Sequence, residues 1–266
     1  METSRGFSHP FTTLVWFRAG LAVCSLLLAF STNAETIHIA TGEYPPWASQ
    51  QLPHEGVISH VIAESFKEAG IQVEFHYFPW ARSYDLARQG QHDAASYWAC
   101  SEKHQEDFYC STPIIQEETV FFHLKSSSFT HWMTLDDLRP FKIGATAGYT
   151  YTPEFWEAAE SGRITVDTVS EDIQSFRMLI YGRVDLSIMG KIAGLRLLRS
   201  RFSRDEASQI IYDPQPLVLQ PMSLLFPKAK SHSLQLLFLF NRGFEKLKES
   251  GVYDELMSDL ITGKYD

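Results

Sequence analysis

Apolar residues from residue 35 onward occur in two kinds of run. Short runs rich in β-branched and aromatic residues predict strands, and longer runs in which apolar residues recur with the period of a helix predict helices. The predicted strands are residues 37–40, 73–78, 92–95, 119–124, 141–146, 164–169, 184–189 and 217–226. Their alternation with helices favours an α/β architecture with mostly parallel sheets.

The helical runs indicate which side of each helix meets the core and where the helix ends. The first contains Val57, Ile58, Val61, Ile62 and Phe66 on one side. The later predicted helices are residues 80–89, 151–159, 173–181, 231–250 and 252–260, and glycines at 90, 182 and 251 end three of them. Glycine is favoured there because it adopts the left-handed backbone that often closes a helix.

The alternation restarts after residue 125, which predicts two lobes with two mixed sheets flanked by helices. The runs 119–124 and 217–226 are the predicted crossings between the lobes, and two crossing strands would form a hinge. The predicted organisation is a signal peptide at 1–34, the first part of lobe 1 at 35–122, lobe 2 at 123–222, and the completion of lobe 1 with the C-terminal helices at 223–266.

The first residues are typical of a secretion signal. Arg5 and Arg18 precede an apolar run at 19–30, and small residues follow as far as Ala34. We therefore predict cleavage after Ala34 and a periplasmic location. An uncleaved membrane anchor and a lipid attached at Cys24 are the alternatives.

The charge of the chain limits the classes of molecule that it could bind, and its cysteines indicate a disulfide. The formal net charge is −9, which disfavours nucleic acid and acidic membrane surfaces. Cys100 and Cys110 remain after the predicted cleavage, and an oxidising compartment favours a disulfide between them over two separate thiols. His104 lies between them, but the spacing is not that of a zinc site. We predict no metal and no cofactor.

Aromatic residues at predicted strand ends and loops indicate a ligand site. Open α/β sheets bind ligands at this edge, and aromatic surfaces suit aromatic, heterocyclic or cationic solutes. The residues are Tyr44, Trp47, Trp80, Tyr97 and Trp98. Ordinary core packing is the alternative, above all for Trp47.

Polar candidates accompany these aromatic residues. Glu43, Arg82 and His104 could carry charge in the cleft, although each could also be a solvated or packing residue. Thr146 ends a predicted strand, and Thr150 precedes a helix whose free N–H groups could receive an anion. An N-cap role is the competing interpretation for Thr150.

Several segments, in their order and spacing, resemble the family 3 solute-binding proteins of bacterial ABC importers, which have the type II periplasmic-binding-protein fold. These segments are 43–47, 79–82, 101–113, 134–138, 144–151 and 182–185. The resemblance implies a monomeric, non-enzymatic Venus flytrap that closes on a small solute and delivers it to a membrane permease.

Two positions depart from that family. In amino-acid-binding members, an arginine that grips the ligand carboxylate stands where this chain has His104. An acidic residue that receives the ligand ammonium would fall at Gly190, which Lys191 follows. We therefore expect that an ordinary amino acid is not held in the ordinary way.

Two other functions stay open. The closed clamp could dock on a membrane receptor as a sensor input instead of on a permease. A dehydratase-like enzyme on the same fold is the other, with Glu43 and His104 as acid and base. No catalytic triad spacing and no phosphate-binding loop accompany them.

Overall fold

The computed structural model describes residues 1–3, 6 and 35–265, so the predicted signal peptide lies almost wholly outside the described residues. The described residues 36–265 belong to one compact unit. Across the described ranges, no helix is both long and apolar enough to span a membrane.

All eight predicted strands are present, and two short strands at residues 108–110 and 210–212 are additional to the prediction. The strands are β1 (Thr36–Thr41), β2 (Gln72–Tyr77), β3 (Ala94–Ala99), β4 (Phe108–Cys110), β5 (Ile115–Leu124), β6 (Lys142–Thr146), β7 (Thr165–Val169), β8 (Leu186–Gly190), β9 (Ile210–Tyr212) and β10 (Val218–Pro227). The helices are α1 (Val57–Lys67), α2 (Trp80–Arg88), α3 (Glu102–Asp107), α4 (Pro153–Glu160), α5 (Asp172–Ile180), α6 (Lys191–Arg201), α7 (Arg204–Gln209), α8 (Ser233–Glu249) and α9 (Val252–Ile261), with short 3-10 turns at Pro53–Glu55 and Leu135–Leu138.

The strands form one mixed sheet in the order β2-β1-β3-β10-β5-β8-β6-β7, with β4 beside β10 and β9 beside β5. The outer groups, β2-β1-β3 and β8-β6-β7, are parallel. The pairs β3–β10, β10–β5 and β5–β8 are antiparallel. The α/β class and the two long crossing strands are therefore as predicted.

The two expected sheets are joined rather than separate. Residues 115–119 of β5 pair with residues 218–222 of β10, so the crossing strands carry hydrogen bonding from one half to the other. Each of these strands has ten residues, enough to pair within a half and with each other. The lobe boundaries at 122/123 and 222/223 stay predictions.

The packing of α1 follows its sequence pattern. Val57, Ile58, Val61, Ile62 and Phe66 are all fully buried, on the side that meets the sheet and α8. A Cβ on Gly243 of α8 would collide with the backbone carbonyl of Ser65 in α1. The glycine therefore lets these two helices approach closely.

Three boundaries differ from the prediction in ways that affect the site. Strand β3 extends to Ala99, beyond the predicted 92–95, and β5 begins at Ile115 instead of 119. The N-cap of α4 is Thr152, whose side chain accepts the N–H of Phe155, so Thr150 is not the cap. These shifts place additional side chains where β3, β5 and β10 meet.

Candidate ligand-binding cleft

A small cavity lies where the two halves of the sheet meet, and we call it the inner cavity. Its volume is about 70 Å³, space for on the order of five water-sized groups. Its lining consists of Tyr44, Trp80, Tyr97, Trp98, Ala99, Glu117, Thr119, Gly148, Tyr149, Thr150, Tyr151, Gly190, Gln220 and Met222. Both halves of the sheet therefore contribute to one site.

Glu117 on β5 is the only acidic residue in this lining, and among the described residues the lining holds no lysine, arginine or histidine. Its side chain accepts hydrogen bonds from the Tyr44 hydroxyl (3.2 Å) and the Trp47 indole N–H (3.0 Å). Burial raises the pKa of Glu117 to about 7 against the lowering effect of these donors, and the charge of Asp172 adds to the rise.

Gly190 explains how Glu117 comes to fill the cavity. Thr119 pairs with Gly190 across β5 and β8. A Cβ at position 190 would collide with Glu117 Oε1 and would lie 2.5 Å from the Tyr44 hydroxyl. The carboxylate from the crossing strand therefore occupies the space into which a side chain at position 190 would project.

A second acid, Asp172, stands behind the cavity wall at the start of α5. It accepts the Thr146 hydroxyl at 2.5 Å and the Tyr149 hydroxyl at 2.7 Å, and burial raises its pKa. The Tyr149 ring then lies perpendicular to that of Tyr44, with 5.7 Å between centroids. Thr146 thus fixes Asp172, and Asp172 fixes a tyrosine that meets the opposite half of the site.

Tyr97 enters the cavity through an irregularity in β3. Ser223 pairs with Trp98 and Leu224 with Ser96, so Tyr97 is a bulge in the ladder. Its φ is +62°, an uncommon conformation for a tyrosine. Successive side chains of a regular strand point to opposite faces. The bulge instead allows both Tyr97 and Trp98 to line the cavity, as bulges beside functional sites often do.

The aromatic wall is packed but leaves polar atoms unused. The Trp47 and Tyr97 rings stack at 5.8 Å, and the Trp80 and Trp98 rings meet edge to face at 5.5 Å. Within the described part of the chain, the buried Trp98 indole N–H has no hydrogen-bond partner, and the Tyr97 hydroxyl has none in strict hydrogen-bond geometry, although it is close enough to Glu117 to lower the pKa of that carboxyl group. Buried polar groups are uncommon without a partner, so the Trp98 N–H is a candidate donor to a ligand.

A wider outer groove of about 1020 Å³ opens beside the inner cavity and shares Trp98, Ala99, Gln220 and the loop 148–151 with it. His104 lines this groove instead of the inner cavity. Its Nδ1 lies 2.6 Å from the Ala99 carbonyl oxygen. Because a carbonyl only accepts, Nδ1 is the donor there, and Nε2 keeps its own hydrogen-bonding capacity.

The disulfide joins Cys100 and Cys110, with 6.1 Å between their Cα atoms, and closes the loop that carries His104. Cys100 and residues 101–103 belong to the outer groove. The predicted pair is therefore formed, and it constrains one wall of the groove.

The remaining charged candidates lie outside both spaces. Glu43 is exposed and accepts the backbone and side-chain N–H groups of Gln50. Arg82 is exposed over the Phe78 ring at 5.6 Å. Neither lines the inner cavity or the outer groove, whereas Thr150 lines both.

Sequence reasoning missed Glu117, Tyr149 and Asp172. Alternation was the available signal for Glu117. Extending the strand back from Thr119 places residue 117 on the same face as Thr119, and both are buried. Asp172 looks like an ordinary acid in the first turn of a helix, so no sequence signal separated it from a capping role.

Comparison with known proteins gives a family and a fold. The sequence-family model of the bacterial extracellular solute-binding proteins, family 3, matches residues 37–262 of this chain. Among curated proteins, none matches.

Three similar solved structures each cover 85% of this chain. A histidine kinase sensor domain with similarity to periplasmic binding proteins is 18% identical over 95% of its own length, with a TM-score of 0.71. An ancestral arginine-binding protein bound to arginine is 19% identical over 97%, with a TM-score of 0.69. The substrate-binding protein of an amino acid ABC transporter is 17% identical over 99%, with a TM-score of 0.68. At these identities the similarity establishes the periplasmic-binding-protein fold.

Proposed function

The chain belongs to the bacterial extracellular solute-binding proteins of family 3, and on that premise we propose that it captures a small solute bearing a cationic amine. Closure of two lobes, residues 35–122 with 223–266 and residues 123–222, would enclose the solute at the inner cavity. The observation that carries this proposal is Glu117, a buried carboxyl group surrounded by neutral hydrogen-bond donors.

A buried carboxylate without a counter-ion is unfavourable, and the raised pKa of Glu117 expresses that cost. A bound ammonium group would supply the missing charge and draw the pKa back down. The rings of Tyr44, Tyr97 and Tyr149 line the same cavity, and aromatic faces attract cations most strongly where water is excluded. Charge and surface therefore support the same class of ligand.

The lining of the inner cavity also indicates where an acidic group of the solute would lie. Because the inner cavity has no cationic residue among the described ones, an α-carboxylate there would lack a charged partner. The outer groove is lined by Lys103 and His104, and also by the acidic residues Asp85, Glu102 and Glu154. We infer that the amine is the anchor, and that an acidic group of the solute would extend towards Lys103 and His104 in that groove.

Delivery to an ABC-type membrane importer from the periplasm is the role that this family makes most reasonable. A substrate-binding protein of an ABC transporter is among the similar structures. A sensor input is the second candidate, favoured by the similarity to a histidine kinase sensor domain. Both roles use the same closure. If the protein serves an importer, deletion of its gene would reduce uptake of the labelled solute. If it serves a sensor, deletion would reduce the transcriptional response to the solute.

Enzymatic activity is a further candidate because of one observation. A carboxyl group with a pKa of about 7 is well matched to accept and return a proton near neutral pH. A dehydratase would release an altered molecule, whereas a binding protein returns its solute unchanged.

The test is to purify the full-length protein from cells without unfolding, release the bound small molecule and identify it by mass spectrometry. Glu117→Gln is the test variant. Its matched control is Glu118→Gln, which changes the next residue of the same strand, outside the cavity, where Glu118 pairs with Lys191 at 2.8 Å. We expect an unchanged basic amine from the wild type and the control and none from Glu117→Gln.

A ligand-dependent rise in melting temperature should confirm the released molecule. Recovery of a solute without a basic nitrogen would contradict the proposed ligand class, and recovery of a reaction product would favour the enzyme.

A further inference from the structure

Two histidines and a glutamate converge at the sheet edge formed by β1 and β2. His38 pairs in register with Glu74, and Ala40 pairs with His76. Because side chains alternate along a strand, Glu74 and His76 project from the same face of β2, beside His38 of β1. None of the three lines the inner cavity or the outer groove.

The distances within this cluster match those of a metal site. His38 Nδ1 lies 3.0 Å from His76 Nε2 and 3.5 Å from Glu74 Oε2, and His76 Nε2 lies 3.9 Å from Glu74 Oε1. With ligand bonds near 2.0–2.1 Å, two donors of a tetrahedral zinc ion are about 3.3 Å apart. All the candidate ligand atoms lie within 4.8 Å of one another.

Solvent access to the cluster also favours an ion. A further imidazole, His92, meets the His76 ring edge to face at 5.2 Å but is not among the candidate ligands. The side chains of His38 and Glu74 are 47% and 59% exposed. Solvent therefore reaches the cluster from one side, where a water molecule can complete the coordination.

We propose that His38, Glu74 and His76 bind a divalent first-row transition-metal ion, with zinc as the probe. Two imidazoles and one carboxylate are a ligand set that such ions use together with a bound water. The ion would link the edge strand β2 to β1 and neutralise Glu74. No sequence motif indicates this site, because its ligands lie on two strands that are far apart in the chain.

Without an ion, the ring nitrogens of His38 and His76 would simply share a hydrogen bond. Isothermal titration of chelator-treated, full-length protein with zinc chloride separates the two cases, and cobalt chloride gives a second readout through its visible absorption when four-coordinate. The test variants are His76→Ala and Glu74→Gln. The control is His54→Asn, which removes one ring of a different histidine pair, His54 and His60, stacked at 3.8 Å.

Asparagine suits the control because His54 has a φ of +52°, which asparagine tolerates. We expect one zinc ion per chain, binding weakened at least about tenfold in both test variants, since even outer-shell changes cost that much, and unchanged binding in the control.

Absence of stoichiometric binding in the wild type would overturn the proposal. So would equal loss in His54→Asn, or undiminished binding in both test variants. Because Glu74→Gln preserves shape at an exposed position, it keeps the test decisive if His76→Ala unfolds, and an unchanged circular dichroism spectrum would verify that Glu74→Gln is folded.

Discussion

Two buried acidic residues stand in opposite electrostatic surroundings. Glu117 in the inner cavity and Asp93 before β3 are each 7% exposed. Asp93 accepts the backbone N–H of His38 at 2.8 Å and pairs with Lys230 and with His232, the latter at 2.9 Å. Glu117 has only neutral donors in hydrogen-bond geometry.

The pKa values move in opposite directions as a result. Burial alone would raise the pKa of Asp93, but the hydrogen bonds from His38, Lys230 and His232 outweigh it, and the pKa is lowered. At Glu117 burial prevails and the pKa rises to about 7. One acid is compensated within the fold, and the other is left for something outside it. Under the proposed function, that difference separates a structural charge, Asp93, from a binding charge, Glu117.

The substitution Glu117→Gln tests the contrast between Glu117 and Asp93 most directly. The substitution preserves shape and removes the charge, so the cationic solute loses its counter-ion in a buried site. Truncating one partner of such a pair costs about 2–5 kcal/mol, and we expect affinity to fall about 30-fold or more. Calorimetric titration with the copurified solute measures it. An affinity within a factor of two of Glu118→Gln would show that Glu117 is not the anchor.

The same substitution should stabilise the ligand-free protein. Between pH 4.5 and about 7 the folded state keeps the proton of Glu117 while the unfolded chain has lost it, so the free energy of unfolding falls as pH rises. Glutamine removes this loss. We expect Glu117→Gln to be about 1–3 kcal/mol more stable than wild type at pH 8 and similar at pH 4, measured by urea unfolding. A destabilised variant at pH 8 would contradict the raised pKa.

The pH dependence of solute binding gives a further test of Glu117 as the binding charge, with a smaller expected effect. Below a pKa of about 7, Glu117 in the free protein carries a proton that a bound cation must displace. Affinity should therefore rise about tenfold from pH 6 to pH 8 and level off above. In Glu117→Gln the residual binding should lose this dependence. A wild-type affinity that is constant over this range would exclude Glu117 as the titrating group.

The sequence predicted the elements far better than the site. Periodicity is strong in α1, where Val57 to Phe66 form one buried stripe, and in β1. The site depends on features that periodicity does not report: the bulge that turns Tyr97 inward, the space before Gly190 that Glu117 fills, and the bond from Tyr149 to Asp172. Each joins residues from different strands or loops, so it exists only after the sheet has formed.

Reducing the disulfide tests whether the outer groove contributes to solute affinity in addition to the inner cavity. The bond between Cys100 and Cys110 constrains a groove wall, while Glu117 lies outside that loop. Loss of preorganisation should weaken solute affinity by roughly two- to fivefold, with little change in the far-ultraviolet circular dichroism spectrum. Cys100→Ser with Cys110→Ser should behave like the reduced protein. Equal affinity with and without reductant would mean that the groove does not contact the solute.

Asp93→Asn should leave solute affinity almost unchanged, because the interactions of Asp93 lie within the fold: His38, Lys230 and His232. Its effect falls on stability instead. A lowered pKa contributes stability that is present above the unfolded value near 3.8 and is lost as pH falls through the folded value. Asparagine keeps the shape but leaves Lys230 and His232 without their anion, which should cost about 1–3 kcal/mol at pH 7 and progressively less below pH 4. Urea unfolding at pH 7 and below pH 4 measures the effect on stability, and a solute titration measures the effect on affinity. If Asp93→Asn weakened binding as much as Glu117→Gln while sparing stability, the division between structural and binding charge would be wrong.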